Sequence, residues 1–209
     1  AGRDGARDGQ GQGYRRLYPE LMRGESALRA SVAAKRNEWQ HRDMKPRRSF
    51  EEGHRRKFLI VVDESQEVES ALYYAASRMQ RSLGSIVMLY VIEPGELQHW
   101  SGVRQVQLEE ETTKAKALFR LFRRKLSLAG FETVETEDVI REGRLAEEVV
   151  NAIAEDEDIA VLVLAASVDA KGPGPLVASL AAGRAAGGFP VPVTVVPGQL
   201  SLAEIKALA

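Results

Sequence analysis

The residues with the plainest chemical use stand where two apolar runs stop. Phe58-Leu59-Ile60-Val61-Val62 ends at Asp63-Glu64-Ser65, and the run Ile159 to Leu164 ends at a loop, Ala165 to Gly174, that holds Ser167, Val168, Lys171 and Gly172 and leads into Pro175. A carboxylate such as Asp63 can accept hydrogen bonds from a ribose or a base, or can cap the helix that follows it. Glycines ahead of a helix let backbone N–H groups approach an anion, and Lys171 adds positive charge to the same loop. Gly172-Pro173-Gly174 reads equally as a tight turn. This is ligand-holding chemistry, and no bond-breaking constellation accompanies it. A Walker A loop and a nucleophile elbow are missing, and Asp63-Glu64-Ser65-Gln66 stands where a dinucleotide-binding glycine turn would follow the first run. With no cysteine, and with His41, His54 and His99 far apart in sequence, no metal site is expected. The reading is of a protein that is not an enzyme.

The elements that must position these residues follow from periodicity. Phe58 to Val62 is a β-branched, aromatic run with a polar stop, as a strand buried on both faces requires. Ser65 is placed to cap a helix carrying Val68, Leu72, Ala75, Met79 and Leu83 at helical spacing up to Gly84. Ile86 to Ile92 is a second strand, and a loop through Trp100 and Gly102 leads to a long helix with Leu108, Ala115, Leu118, Phe119, Phe122 and Leu126 on its inner face. Phe131 to Ile140 is acidic and only partly alternating, as an exposed edge strand is. Leu145, Val149, Val150 and Ile153 mark a third helix, Ile159 to Leu164 the fourth strand, and Pro175 opens a fourth helix. Val191 to Val196 is a fifth strand with Pro192 inside it, which assigns it to an edge or an interface. Strands joined through helices call for right-handed crossovers, hence a doubly wound parallel sheet of five strands. In such a sheet ligands bind at the carboxyl ends of strands where the winding reverses, which brings Asp63 and the Ala165–Gly174 loop to one crevice.

Charge divides the 209-residue chain. Residues 1–57 hold fifteen Lys or Arg against eight Asp or Glu, a net +7, while the whole chain is −1. A basic extension, residues 1–56, thus precedes an acidic body. Its first residues are poor in large apolar side chains and are expected to be disordered, with an amphipathic helix possible at 25–41 through Leu28, Val32 and Trp39. Such an arm is attracted to anionic surfaces without specific nucleic-acid recognition. It lacks the apolar core of a secretory signal. Met44 stands just ahead of the regular patterning, so a start at Met44 is an alternative account of the extension. The longest apolar run, Ile159 to Ala166, falls well below the roughly 20 residues of a membrane span. A soluble, cytoplasmic chain is expected, and the absence of cysteine fits a reducing compartment.

These segments resemble the universal stress protein family over residues 57–198, with 199–209 as a short helical tail. The resemblance lies in Ile60-Val61-Val62-Asp63-Glu64-Ser65 followed by Ala71-Leu72, in Tyr90-Val91-Ile92, in Arg141-Glu142-Gly143-Arg144 before Ala146-Glu147-Glu148-Val149, and in Pro190 to Val196. It implies the adenine nucleotide alpha hydrolase-like fold with strand order 3-2-1-4-5, and a homodimer through Val191 to Val196. It also implies a site for ATP or AMP, with Asp63 on the ribose or adenine and Val62 and Val91 as walls. The family's nucleotide-binding frame, Gly-x2-Gly-x9-Gly-(Ser/Thr), falls on Ala165, Val168, Ala178 and Ser179. Only the hydroxyl matches, which implies weak or degenerate binding, with Ser167, Gly172 and Gly174 supplying other loop contacts. Two bland readings stand beside it: Val62 and Val91 as ordinary core, and Ser179 bonding its own helix.

Overall fold

Strand β1 (Lys57–Val61) runs through the middle of the protein, with Leu59 and Ile60 wholly removed from solvent. The computed structural model describes residues 46–94, 101–167, 172–181 and 189–209. The chain divides into two units, Ala1–Asp43 and Met44–Ala209, and every described residue belongs to the second. The helix anticipated at 25–41 lies outside the described residues, as do His41, His99, Trp100, Val168 and Lys171.

After β1 come α1 (Val68–Ser82), β2 (Ser85–Ile92), α2 (Ser101–Leu128), β3 (Glu135–Glu142), α3 (Leu145–Glu155), β4 (Ile159–Ala166), α4 (Pro175–Ala181), β5 (Val193–Pro197) and α5 (Leu202–Leu208). The five strands form one sheet in the order β3-β2-β1-β4-β5. All four ladders are parallel, with Ile60 beside Met88 of β2 and Val163 of β4. This is the expected doubly wound sheet. Side chains alternate between its faces. Phe58, Ile60 and Val62 pack with Leu72, Ala75, Phe119 and Phe122 from α1 and α2, while Leu59, Leu162 and Leu164 pack with Val149 and Ile153 of α3 and Leu176 of α4. The chain therefore winds along one face through β3 and returns along the other.

Three local details differ from the sequence reading. α1 begins at Val68 with no side-chain cap, because the Asp63 carboxylate accepts the Ser65 N–H at 2.8 Å and holds residues 63–65 in a turn of their own. The Phe131–Ile140 strand shrinks to Glu135–Glu142. Phe131 is buried beside the Tyr73 ring, 6.3 Å between centroids, and its N–H returns to the Leu126 carbonyl. Pro192 precedes β5 instead of lying within it: lacking an N–H, it joins the sheet only through its carbonyl, which accepts from Leu162 at 3.0 Å.

The far ends of the strands are closed by charge. Arg47 donates to the carbonyls of Ile153 and Asp156 at the end of α3, at 2.6 and 2.9 Å. His54 Nδ1 lies 2.6 Å from an Asp158 carboxylate oxygen, and Lys57 reaches both Asp156 and Glu137 at 2.8 Å. At the end of α1 the left-handed turn is taken by the exposed Leu83, φ 53°. Gly84 serves another purpose: a Cβ there would stand 2.5 Å from both the Arg56 carbonyl oxygen and Met79 Sδ. Gly84→Ala is therefore expected to lower unfolding stability by about 1–3 kcal/mol, measured by urea denaturation, because one of the two contacts is backbone and cannot swing aside.

Candidate functional site at the carboxyl ends of β1 and β4

The winding reverses between β1 and β4, the point at whose carboxyl ends a doubly wound sheet forms its ligand crevice. From β1, Val62 extends the ladder by donating to the Leu89 carbonyl at 2.8 Å, and Asp63 emerges exposed just beyond it. One Asp63 oxygen holds the Ser65 N–H. From β4, Ala165 and Ser167 are half-buried at the strand end, and Ser167 already has a polar partner. Gly172 and Gly174 follow with φ of 97° and 91°, and among the described residues nothing lies within 4 Å of where a Cβ would be. They are needed for backbone conformation, not for space. In α4, Ala178 is exposed with its N–H bonded to the Gly174 carbonyl, and Ser179 is half-buried. Val62 and Val91 are separated. Val62 is core, 2% exposed, on the α1–α2 face, whereas Val91 is half-buried against the α3–α4 face. Their side chains do not wall one pocket together.

Two features of this end are absent from the sequence reading. The first is Gly198, just after β5, whose N–H donates to the Ala166 carbonyl at 2.9 Å. A Cβ on it would fall 2.5 Å from Glu67 Cβ and 2.9 Å from that same carbonyl oxygen, so the β5 end and the start of α1 meet at backbone distance. Ser70 of α1 reinforces the contact by donating to the carbonyls of Gly198 or Leu200, at 3.0 and 3.2 Å. A glycine immediately after an edge strand was the only signal. The second is a polar chain. Glu64 pairs with Lys114 at 2.7 Å, Lys114 lies 3.8 Å from Glu111, and the Tyr90 hydroxyl donates to Glu111 at 2.6 Å. It links the β1–α1 turn, α2 and β2, and no spacing along the chain announces it.

Electrostatically this end is acidic. Asp63, Glu64 and Glu67 cluster in one short turn, and Lys114 is engaged with two carboxylates. Among the described residues no group of three or more His, Cys, Asp or Glu is arranged to hold a metal ion. A cavity of about 480 Å³ lies along α2, lined by Val106, Glu109, Glu110, Thr113, Lys114 and Ala117, and so borders the helix rather than the crevice.

Two tyrosines report on these contacts. Burial and the Glu111 carboxylate push the Tyr90 phenol well above its ordinary range. Burial and the bond donated to Glu69 at 2.8 Å push Tyr73 up to about 12. Glu69 in turn pairs with Lys125. A phenol whose folded pKa is raised stabilises the fold below its unfolded value near 10 and loses that contribution as pH rises through the folded value. Stability is therefore expected to fall between about pH 10 and 12, and ultraviolet titration should show ionisation of these two tyrosines above the ordinary phenol range. Tyr73→Phe should remove one late step; an unchanged titration curve would contradict the assignment.

Comparison with known proteins agrees with this architecture. The universal stress protein family model matches residues 54–197. No curated protein matches the chain. Universal stress protein UspA from Lactobacillus plantarum has a similar fold, with a TM-score of 0.54 and 18% identity over 68% of this chain and 97% of its own. Hypothetical protein MJ0577, solved to assign its biochemical function, is similar at a TM-score of 0.54 and 21% identity over 70% and 98%. The universal stress protein from Archaeoglobus fulgidus, solved in complex with dAMP, stands at 0.48 and 16% over 68% and 97%. On the match that spans residues 54–197, and with the strand order β3-β2-β1-β4-β5, the chain belongs to the universal stress protein family.

Proposed function

We propose that the chain is a regulatory binding protein, dimeric through β5, whose crevice takes an adenine nucleotide weakly and which acts through partners instead of rapid chemistry. The observation that carries the reading is the contrast across the switch point. On one side Asp63 is exposed, with one oxygen engaged and the other open to a ribose or base. On the other, Ala165 and Ala178 carry methyl groups where the family frame has bare backbone. The acidic turn of Asp63, Glu64 and Glu67 adds repulsion, and a triphosphate feels both effects more than a monophosphate does. A lost glycine costs about 1 to 3 kcal/mol where its conformation was strained, so two losses remove about one to four decades of affinity.

Calorimetry on nucleotide-free protein is expected to give an ATP dissociation constant no tighter than about 100 µM. AMP should bind at least as well. Ala165→Gly combined with Val168→Gly and Ala178→Gly should tighten ATP by about tenfold or more, and Asp63→Ala should remove what remains. Micromolar binding of ATP by the unaltered chain would overturn the argument from the methyl groups. Silence with both nucleotides would favour the second reading, an interaction module without nucleotide, which those same methyl groups support. A turnover assay on the same sample tests slow ATP hydrolysis.

The dimer rests on the β5 edge. Val195 is 42% exposed on a strand whose outer backbone groups face no neighbouring strand in the sheet, and exposed Pro192 and Pro197 bracket it. A second copy packed there covers apolar surface that would otherwise invite uncontrolled pairing. Light scattering at micromolar concentration should give at least twice the 23.0 kDa chain mass. A stable monomer would exclude the dimer.

A further inference from the structure

α2 has 28 residues and so runs about 42 Å, whereas the eight-residue strands β2 and β3 that it covers run about 26 Å. Its inner face is spent on the core through Ala115, Phe119, Phe122 and Leu126, all buried. The opposite face is unusual for a solvated helix. Val106, Leu121 and Leu128 are 56%, 45% and 78% exposed. At about 100° per residue they fall on one stripe with Ala117, together with Glu110, Thr113 and Arg124. Scattered exposed apolar residues need no explanation, but a row in register along six turns of one helix does.

Charge along α2 is ordered as well. Apart from Arg104, which pairs with Glu142, carboxylates at 109, 110 and 111 precede cations at 114, 116, 120, 123, 124 and 125. Glu111, Arg123 and Lys125 are already paired with Tyr90, Asp138 and Glu69. Glu110, Lys116, Arg120 and Arg124 form no ion pair among the described residues. Turning the helix end over end about Ala117 sets Val106 against Leu128, Glu110 against Arg124, and Thr113 against Leu121, with Ala117 meeting itself on the axis. Along the stripe the apolar ends meet and Glu110 meets Arg124, while Lys114 and Arg120 face each other as like charges on the flank, and the smallest side chain sits where two helices approach most closely. Parallel alignment instead sets Glu110 on Glu110 and Arg124 on Arg124, which repel.

We infer that the outward face of α2 is a self-recognition surface that takes α2 of a second copy of this chain, antiparallel about Ala117. The pairing is isologous, as a twofold contact requires. It lies over β2 and β3, the opposite side of the sheet from β5, so the two contacts do not compete and together extend assembly beyond a dimer.

The chain has no cysteine, which makes the test direct. In the full chain Ala117→Cys is expected to form a disulfide-linked dimer on mild oxidation, at least about tenfold faster than a control Leu83→Cys, exposed in the turn that ends α1. Val106→Cys and Leu128→Cys should each cross-link no faster than the control, while the two substitutions in one chain should link readily. In the Ala117→Cys background, Glu110→Arg alone or Arg124→Glu alone should slow linking about tenfold, and both together should restore it. Cross-linking of Ala117→Cys at the control rate overturns the proposal. So does fast linking by Val106→Cys alone, which would mean a parallel pair, or failure of the double exchange to restore the rate.

Discussion

Everything in this domain follows from the burial of β1 on both faces and both edges. Leu59 and Ile60 are wholly enclosed, with β2 on one side and β4 on the other. A strand so placed admits only apolar side chains, and it needs helices above and below. The chain meets that need by winding one way through β2 and β3 and then returning on the other face. The loops after β1 and β4 are thereby sent to opposite faces, and the gap between them is the crevice. Polar side chains, excluded from the middle of the sheet, collect at its two ends.

The two ends are built differently. At the amino ends of the strands Arg47, His54 and Lys57 are each bonded to groups at or just after the end of α3, which closes that end with direct contacts. At the carboxyl ends, backbone approaches backbone at Gly198, and glycines at 172 and 174 hold conformations that side chains resist. One end is tied by charge, and the other is shaped by glycine.

Much of this was written in the sequence because burial dictates residue type directly. The run Phe58 to Val62 could be nothing other than a buried strand, and Ile159 to Leu164 likewise; their ends, and so Asp63 and Ala165, came with them. The third strand was harder. As an edge it carries Glu135, Glu137 and Asp138, and Phe131 looked like its start until the structure showed that ring tucked beside Tyr73. Pro192 misled by one step, since a proline can adjoin a ladder through its carbonyl while standing outside it. The site was legible only where it depends on neighbours in sequence. Glu64, Tyr90, Glu111 and Lys114 converge from three elements, and Gly198 meets Glu67 across the sheet end; such contacts exist only once the fold has brought the segments together.

The ladder between β1 and β4 has a kinetic meaning of its own. β1 finds β2 after a single helix, but it pairs with β4 only after α1, β2, α2, β3 and α3 have been threaded between them. Closing so long a loop is slow, and a half-assembled sheet of β1, β2 and β3 would leave the central strand β1 with one open edge. That edge is the very line along which the crevice later forms. The crevice is thus completed at the same late step that closes this open edge.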